Sequence, residues 1–147
     1  MADISADGPF SSFPGIERWF AVVSGNGVVF DLDGAERRIG VGDPPLRFDG
    51  AAAPGCRLVA GPTRDLNLMA RGGRCEMRPH SPGVPWNEGF RVRALFTAVA
   101  GRWWDGDETR DLAAHTLLWD DTAAGVAWQF EPAVSAPATG WWLGYSP

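Results

Sequence analysis

The residues best suited to hold a ligand in this 147-residue chain are Thr63, Asp65, Asn67, Met69 and Arg71, interleaved with Leu66, Leu68 and Ala70. In an extended strand alternate side chains point to opposite faces, so the polar set shares one face and the leucines the other. Two readings follow. If the polar face looks into a barrel, its carboxylate, amide and guanidinium must be satisfied there by each other, by water or by a ligand, because a buried unpaired polar group costs about 1–3 kcal/mol. If the leucine face is the core, the polar face is simply the wet side of a half-exposed strand. Upstream, Gly8-Pro9-Phe10-Ser11-Ser12-Phe13-Pro14-Gly15-Ile16-Glu17-Arg18 adds aromatics and a second guanidinium.

Other chemistries lack their residues. His80 and His115 are the two histidines, one in a proline-rich stretch and one beside Thr116 on an expected strand. They do not form the clustered nitrogen and oxygen ligands a divalent metal requires, and no cofactor is expected. No Gly-x-Ser-x-Gly elbow, no Cys-His arrangement and no phosphate-cradling glycine loop occurs, so an enzymatic reading lacks a nucleophile. Asp105-Gly106-Asp107-Glu108 offers too few regularly spaced oxygens for a calcium loop and reads as a hairpin turn. Trp103-Trp104 and Trp141-Trp142 are adjacent pairs in which one ring of each should face outward, and a homodimer is the expected use of the outer rings.

These residues need a β framework to position them. Nineteen glycines and twelve prolines fall between short apolar segments, which is how an all-β chain punctuates its turns. Strands are expected at Arg18 to Val23, Val28 to Leu32, Arg37 to Val41, Cys56 to Ala60, Asp65 to Ala70, Arg91 to Ala100, Arg110 to Leu118, Val126 to Glu131 and Gly140 to Tyr145. Ser24-Gly25-Asn26-Gly27, Asp33-Gly34 and Asp105-Gly106 supply the left-handed residues of three expected hairpins. An internal echo sets Phe20-Ala21-Val22-Val23-Ser24-Gly25 against Phe96-Thr97-Ala98-Val99-Ala100-Gly101, 76 residues on, each followed by a strand, an Asp-Gly and a further strand. That grammar predicts a duplicated jelly roll. The expected organisation is one domain over 1–147, with unit one at about 8–74, a proline-broken linker at about 75–90 and unit two at about 91–147.

A net charge of −5 with scattered basic residues argues against nucleic acid as a partner. The acidic start and the lack of a long apolar run predict a cytoplasmic protein without a membrane partner. Cys56 and Cys75 are expected as free thiols.

In its order of Phe13-Pro14-Gly15, Glu17-Arg18, Arg47-Phe48-Asp49-Gly50 and Asp65-Leu66-Asn67-Leu68-Met69, the chain resembles the HutD/Ves family. The match is dense over about Ala2 to Arg74. The resemblance implies an all-β, cupin-like double-stranded β-helix or jelly roll, with two repeated units packed as one bicupin-type barrel. It also implies a non-enzymatic small-molecule-binding role, linked in some members to regulation of histidine utilisation or to a stress response. A histidine-breakdown intermediate such as N-formylglutamate or urocanate is the expected metabolite. Three departures stand out. An opening segment usual in the family is missing, so its first strand is expected to be absent, either because the start lies at an internal Met of a longer reading frame or because this is a shortened member with an open edge; Glu17 replaces a usual Asp; and Gly72 replaces a frequent Arg.

For the pocket that the resemblance implies, the candidate ligand-binding residues are Phe13, Arg18, Phe48, Asp65, Asn67 and Met69. Arg18 could fork onto a carboxylate, Asn67 could donate and accept, and Phe13, Phe48 and Met69 would form apolar walls. The alternative is that Arg18 and Asp65 only pair with each other and that Phe13-Pro14-Gly15 only turns the chain. Two other functions stay open: a metal-free isomerase or lyase using Glu17 or His115 as base, and a Trp-rich interaction domain.

Overall fold

The computed structural model describes residues 1–122 and 125–147 and divides into two compact units, Met1–Gly72 and Gly73–Pro147. Among the described residues the regular structure is β apart from one 3-10 turn, Gly50–Ala52.

The first unit contains β1 (Ala2–Ile4), β2 (Gly8–Pro9), β3 (Glu17–Ser24), β4 (Val28–Leu32), β5 (Ala35–Ile39), β6 (Leu46–Asp49), β7 (Gly55–Leu58) and β8 (Thr63–Ala70). They form two antiparallel sheets, in the orders β1-β8-β3-β6 and β2-β7-β4-β5. Phe20, Val22 and Phe48 from the first sheet meet Val28, Phe30, Leu32, Ile39 and Cys56 from the second, so the core lies between facing sheets as in a sandwich. Phe10 seals it edge-on, its ring centroid 5.8 Å from that of Phe20 and 5.0 Å from that of Phe30.

The second unit contains β9 (Arg74–Pro79), β10 (Val92–Thr97), β11 (Gly101–Trp104), β12 (Thr109–Leu112), β13 (Leu117–Asp120), β14 (Gln129–Pro132) and β15 (Gly140–Ser146). Its sheets run β13-β10-β15-β9 and β12-β11-β14. The topology repeats that of the first unit strand for strand: β10 stands for β3, β15 for β8, β13 for β6, β9 for β1, and β11, β12 and β14 for β4, β5 and β7. A single bridge between Trp86 and Trp128, beside β14, takes the place of β2. The interior is aromatic, with Trp86, Phe90, Trp103, Trp128, Phe130 and Trp142 around Leu95. His80 is buried here; its Nδ1 lies 2.7 Å from Thr139 Oγ1 and its Nε2 2.9 Å from the Phe130 carbonyl, and burial holds its pKa below the usual value.

The internal echo has a structural basis and a small irregularity. β3 carries a register shift between Val22 and Ser24 opposite β8. Along the central strands the core faces align at an offset of 75, not the 76 of the echo, with Met69 and Gly144 the ladder partners of Arg18 and Arg93. Arg18 therefore corresponds to Arg93 and Phe20 to Leu95.

Several expectations change. Ser24-Gly25-Asn26-Gly27 is no hairpin: it carries the chain from β3 to β4, which belong to different sheets. Gly27 has φ +87°, and an added Cβ would sit 2.3 Å from the Ile39 carbonyl oxygen, so the crossover admits no side chain there. Asp33-Gly34 does close the β4–β5 hairpin, and Asp105-Gly106 lies in the loop joining β11 to β12. Arg110 to Leu118 is not one strand, because His115 (φ 60°) turns the chain between β12 and β13. The stretch expected to be a linker opens with β9, paired over its whole length with β15; its Pro79 comes last in the strand, where a missing N–H disturbs nothing further along. The open edge is not seen either, since Ala2 to Ile4 pair with Asp65 to Thr63 and cover β8. Trp141 and Trp142 are both buried, as is Trp103, and the exposed ring is that of Trp119 on edge strand β13. Cys56 and Cys75 are unbridged and buried.

Candidate functional site

The polar face of β8 turns inward. Arg18 pairs with Met69, Phe20 with Asn67 and Val22 with Asp65 across the β3–β8 ladder, so Asp65 and Asn67 share the face of Phe20 and Val22, two core residues. On this face Arg18 is 6% exposed and Asp65 1% exposed.

The three polar groups form a chain. Arg18 Nε donates to Asn67 Oδ1 at 2.8 Å, and Asn67 Nδ2 donates to Asp65 Oδ2. The expected alternative of a direct Arg18–Asp65 pair is replaced by an amide bridging the two charges. Asp65 Oδ1 is buried without a hydrogen-bond partner among the described residues. Burial raises the Asp65 pKa, opposed by the Asn67 hydrogen bond, the chain's amino terminus and Arg18. Burial also lowers the Arg18 pKa, against the attraction of Asp65.

An aromatic cradle surrounds the guanidinium. Its carbon lies 4.3 Å from the ring centroid of Phe10, 5.6 Å from that of Phe48 and 6.0 Å from that of Phe13. Phe48 is placed by register opposite Arg18 on β6. The Phe13-Pro14-Gly15 turn is clamped to the residue after β6: Phe13 N donates to the Gly50 carbonyl at 2.8 Å and Gly50 N to the Ile16 carbonyl at 2.8 Å. Gly50 permits this because an added Cβ would lie 2.7 Å from the Phe13 carbonyl oxygen. The turn therefore does position a ring against Arg18 as well as reversing the chain.

Of the six candidates, Arg18, Phe48, Asp65 and Asn67 lie within one connected cluster, while Phe13 and Met69, each 40% exposed, stand at its rim. Phe10, the ring nearest the guanidinium, was not among the expected site residues. Its signal was the Phe10 and Phe13 pair flanking two serines just before Arg18. Among the described residues Arg18 Nη1 and Nη2 donate to no protein acceptor, which leaves a planar pair of charged donors beside aromatic walls.

The bases named for an isomerase or lyase lie elsewhere. Glu17, adjacent to Arg18 on the strand, points to the other face, accepts from Trp19 Nε1 at 3.0 Å and pairs with Arg47. His115 is an exposed turn residue. Among the described residues no group of three or more His, Cys, Asp and Glu is placed to hold a metal ion, and no helix is long and apolar enough to cross a membrane.

Two antiparallel sandwiches of repeated topology define a cupin-like protein. The chain belongs to the HutD family, whose model matches residues 1–136. Among curated relatives it is 35% identical over 69 residues to an uncharacterised 21.2 kDa protein in the hutC 3′ region of Pseudomonas putida, covering 47% of this chain and 36% of that one. It is 29% identical over 110 residues to Protein Ves of Citrobacter koseri, covering 74% and 57%. The chain thus spans between about a third and a little over half of these relatives' length. Among solved structures it resembles HutD from Pseudomonas fluorescens SBW25 in a formate condition, with TM-score 0.76, 26% identity, and 97% of this chain and 74% of that one covered. A conserved protein of unknown function from Pseudomonas aeruginosa PAO1 is similar at TM-score 0.79 and 26% identity, covering 96% and 74%. Protein Ylba from E. coli shares the fold alone, at 9% identity and TM-score 0.66, covering 98% and 74%.

Proposed function

We propose that the first unit is a non-catalytic receptor for a small carboxylate-bearing metabolite, with the carboxylate forked onto Arg18. The observation that carries this reading is the guanidinium itself. Its Nε is committed to Asn67, its carbon lies among the rings of Phe10, Phe13 and Phe48, and its terminal NH2 groups have no protein acceptor among the described residues. A bidentate carboxylate matches that geometry. Asn67 fixes the fork by holding Nε on one side and Asp65 on the other, so the ligand meets a preset donor pair and does not have to order it. Phe13 and Met69 at the rim offer apolar contact to the rest of the molecule.

Membership of the HutD family and the hutC neighbourhood of a relative support a histidine-breakdown intermediate as the ligand, with N-formylglutamate and urocanate the candidates, and a role in regulating histidine utilisation. N-formylglutamate and urocanate each carry a carboxylate that matches the Arg18 fork. A thermal-shift panel of histidine, urocanate and N-formylglutamate tests the reading. A ligand at a hundredfold its Kd should stabilise the fold by about 2.7 kcal/mol, and Arg18→Gln should abolish that gain. No stabilisation at millimolar ligand, or an equal shift in Arg18→Gln, overturns it.

A further inference from the structure

Strand β13 closes one end of the sheet β13-β10-β15-β9, and its outer edge pairs with no described strand. Its side chains alternate: Leu118 packs toward the aromatic core, while Leu117 is 54% and Trp119 61% exposed on the opposite face. Among the described residues no other edge strand exposes a large apolar side chain. Where β13 carries Leu117 and Trp119, other edges carry charge or proline: Arg37 and Arg38 on β5, Arg78 and Pro79 on β9, Arg110 and Asp111 on β12. Such residues keep a free edge from recruiting a further strand, and the outward face of β13 lacks them.

The backbone of this edge has a definite pattern. Thr97 N donates to the Thr116 carbonyl at 2.9 Å, and these two residues stand opposite each other when the β10–β13 register is carried one residue further. Bonded and unbonded pairs alternate along an antiparallel ladder, so the main-chain groups of Thr116, Leu118 and Asp120 turn toward β10. Those of Leu117 and Trp119 turn away from it, and no described residue bonds them. A second copy of β13, run antiparallel with a two-fold axis through Leu118, sets Leu117 of each copy opposite Trp119 of the other. Each Leu117–Trp119 pair then exchanges both N–H···O bonds, and all four side chains share one face; a slip of one residue would set the outward side chains of one copy against the inward ones of the other. Charge favours the same orientation. Asp120 and Asp121 of one copy run toward Thr116 and His115 of the other, so carboxylates meet a hydroxyl and an imidazole, whereas a parallel arrangement would set acid against acid.

We propose that β13 is a self-association edge, to which a second copy of this chain adds its own β13 antiparallel, joining two sheets across the Leu117–Trp119 pairs. A two-fold contact of this kind occupies the edge on both copies and closes at the dimer. A strand of four residues falls short of the roughly 800 Å² per partner of a standard interface, so the dimer is weak, with a Kd on the order of 10–100 µM.

Sedimentation equilibrium of the full chain from about 1 µM to about 1 mM should show the mass rising from monomer to dimer and no further. Trp119→Lys, at an exposed position, should keep the fold by circular dichroism and weaken the dimer at least about tenfold, whereas Val134→Lys, exposed outside the strands, should leave it unchanged. Hydrogen exchange separates strand pairing from mere sticking of exposed rings. In the dimer the amides of Leu117 and Trp119 should slow by about tenfold or more, while those of Leu118 and Asp120, which face β10, change little. A chain that stays monomeric at about 1 mM overturns the proposal, as does a dimer that survives Trp119→Lys or leaves the Leu117 and Trp119 amides exchanging at the monomer rate. Growth beyond the dimer overturns it too.

Discussion

Replacing Asn67 with leucine isolates the contribution of the bridging amide. The substitution keeps the volume similar and removes two hydrogen bonds, one from Arg18 Nε and one to Asp65 Oδ2. Both partners are almost fully buried, so neither recovers its bond from bulk water. A hydrogen bond to a charged group contributes about 1.5–3 kcal/mol, giving roughly 3–6 kcal/mol for the two. Burying the leucine side chain offsets about 1–2 kcal/mol of this. The net expectation is a loss of about 3 kcal/mol, or roughly 6–12 °C in Tm for a chain of this size. Urea denaturation followed by tryptophan fluorescence and by circular dichroism measures it, and coincidence of the two probes checks that a single transition is being read. Arg47→Ala, which breaks the exposed pair with Glu17, is the control and should cost less than about 1 kcal/mol. An Asn67→Leu loss under about 1 kcal/mol would refute the reasoning, because the polar face would then be effectively hydrated.

Further outcomes follow from the buried titratable groups. Asp65 has a raised pKa in the fold, so its contribution is fully present below its ordinary value of 3.8 and is lost as pH rises through the folded value. The stability of the wild type relative to Asp65→Asn should therefore decline as pH rises above about 3.8, measured by urea denaturation across that range. His80 is shifted the other way, so its contribution is present above its ordinary 6.5 and lost as pH falls through the folded value. His80→Gln should lack that acid-side loss, again by denaturation. Burial, with Asp7 and Asp65 nearby, pushes the Cys56 thiol up to about 11, so a thiol reagent at mildly alkaline pH should label Cys56 only after unfolding.

The sequence made the duplicated β grammar legible because turn residues are local. Asp33-Gly34 closes a hairpin wherever its flanking strands go. Ser24-Gly25-Asn26-Gly27 has the same local chemistry, yet it links two sheets, because β3 pairs with β8, 40 to 53 residues farther along, and β4 with β7, 24 to 30 residues farther along, and no local rule chooses them. The inward orientation of Asp65 and Asn67 was undecidable from alternation alone, since Leu66 and Ala70 on the opposite face are buried as well. Likewise Trp141 and Trp142 point to opposite faces and are both buried, so adjacency predicted direction but not exposure. The role of Phe10 depends on contacts with Phe20 and Phe30 on two other strands, which sequence spacing does not encode.

The most direct measurement follows the side-chain N–H resonances of the arginines while N-formylglutamate is added. The account predicts that the Arg18 signals shift saturably while those of Arg47 and Arg57, which sit in exposed pairs with Glu17 and Glu36, stay in place. Arg18 signals that remain unmoved at millimolar ligand, or that move no more than those surface arginines, would contradict it.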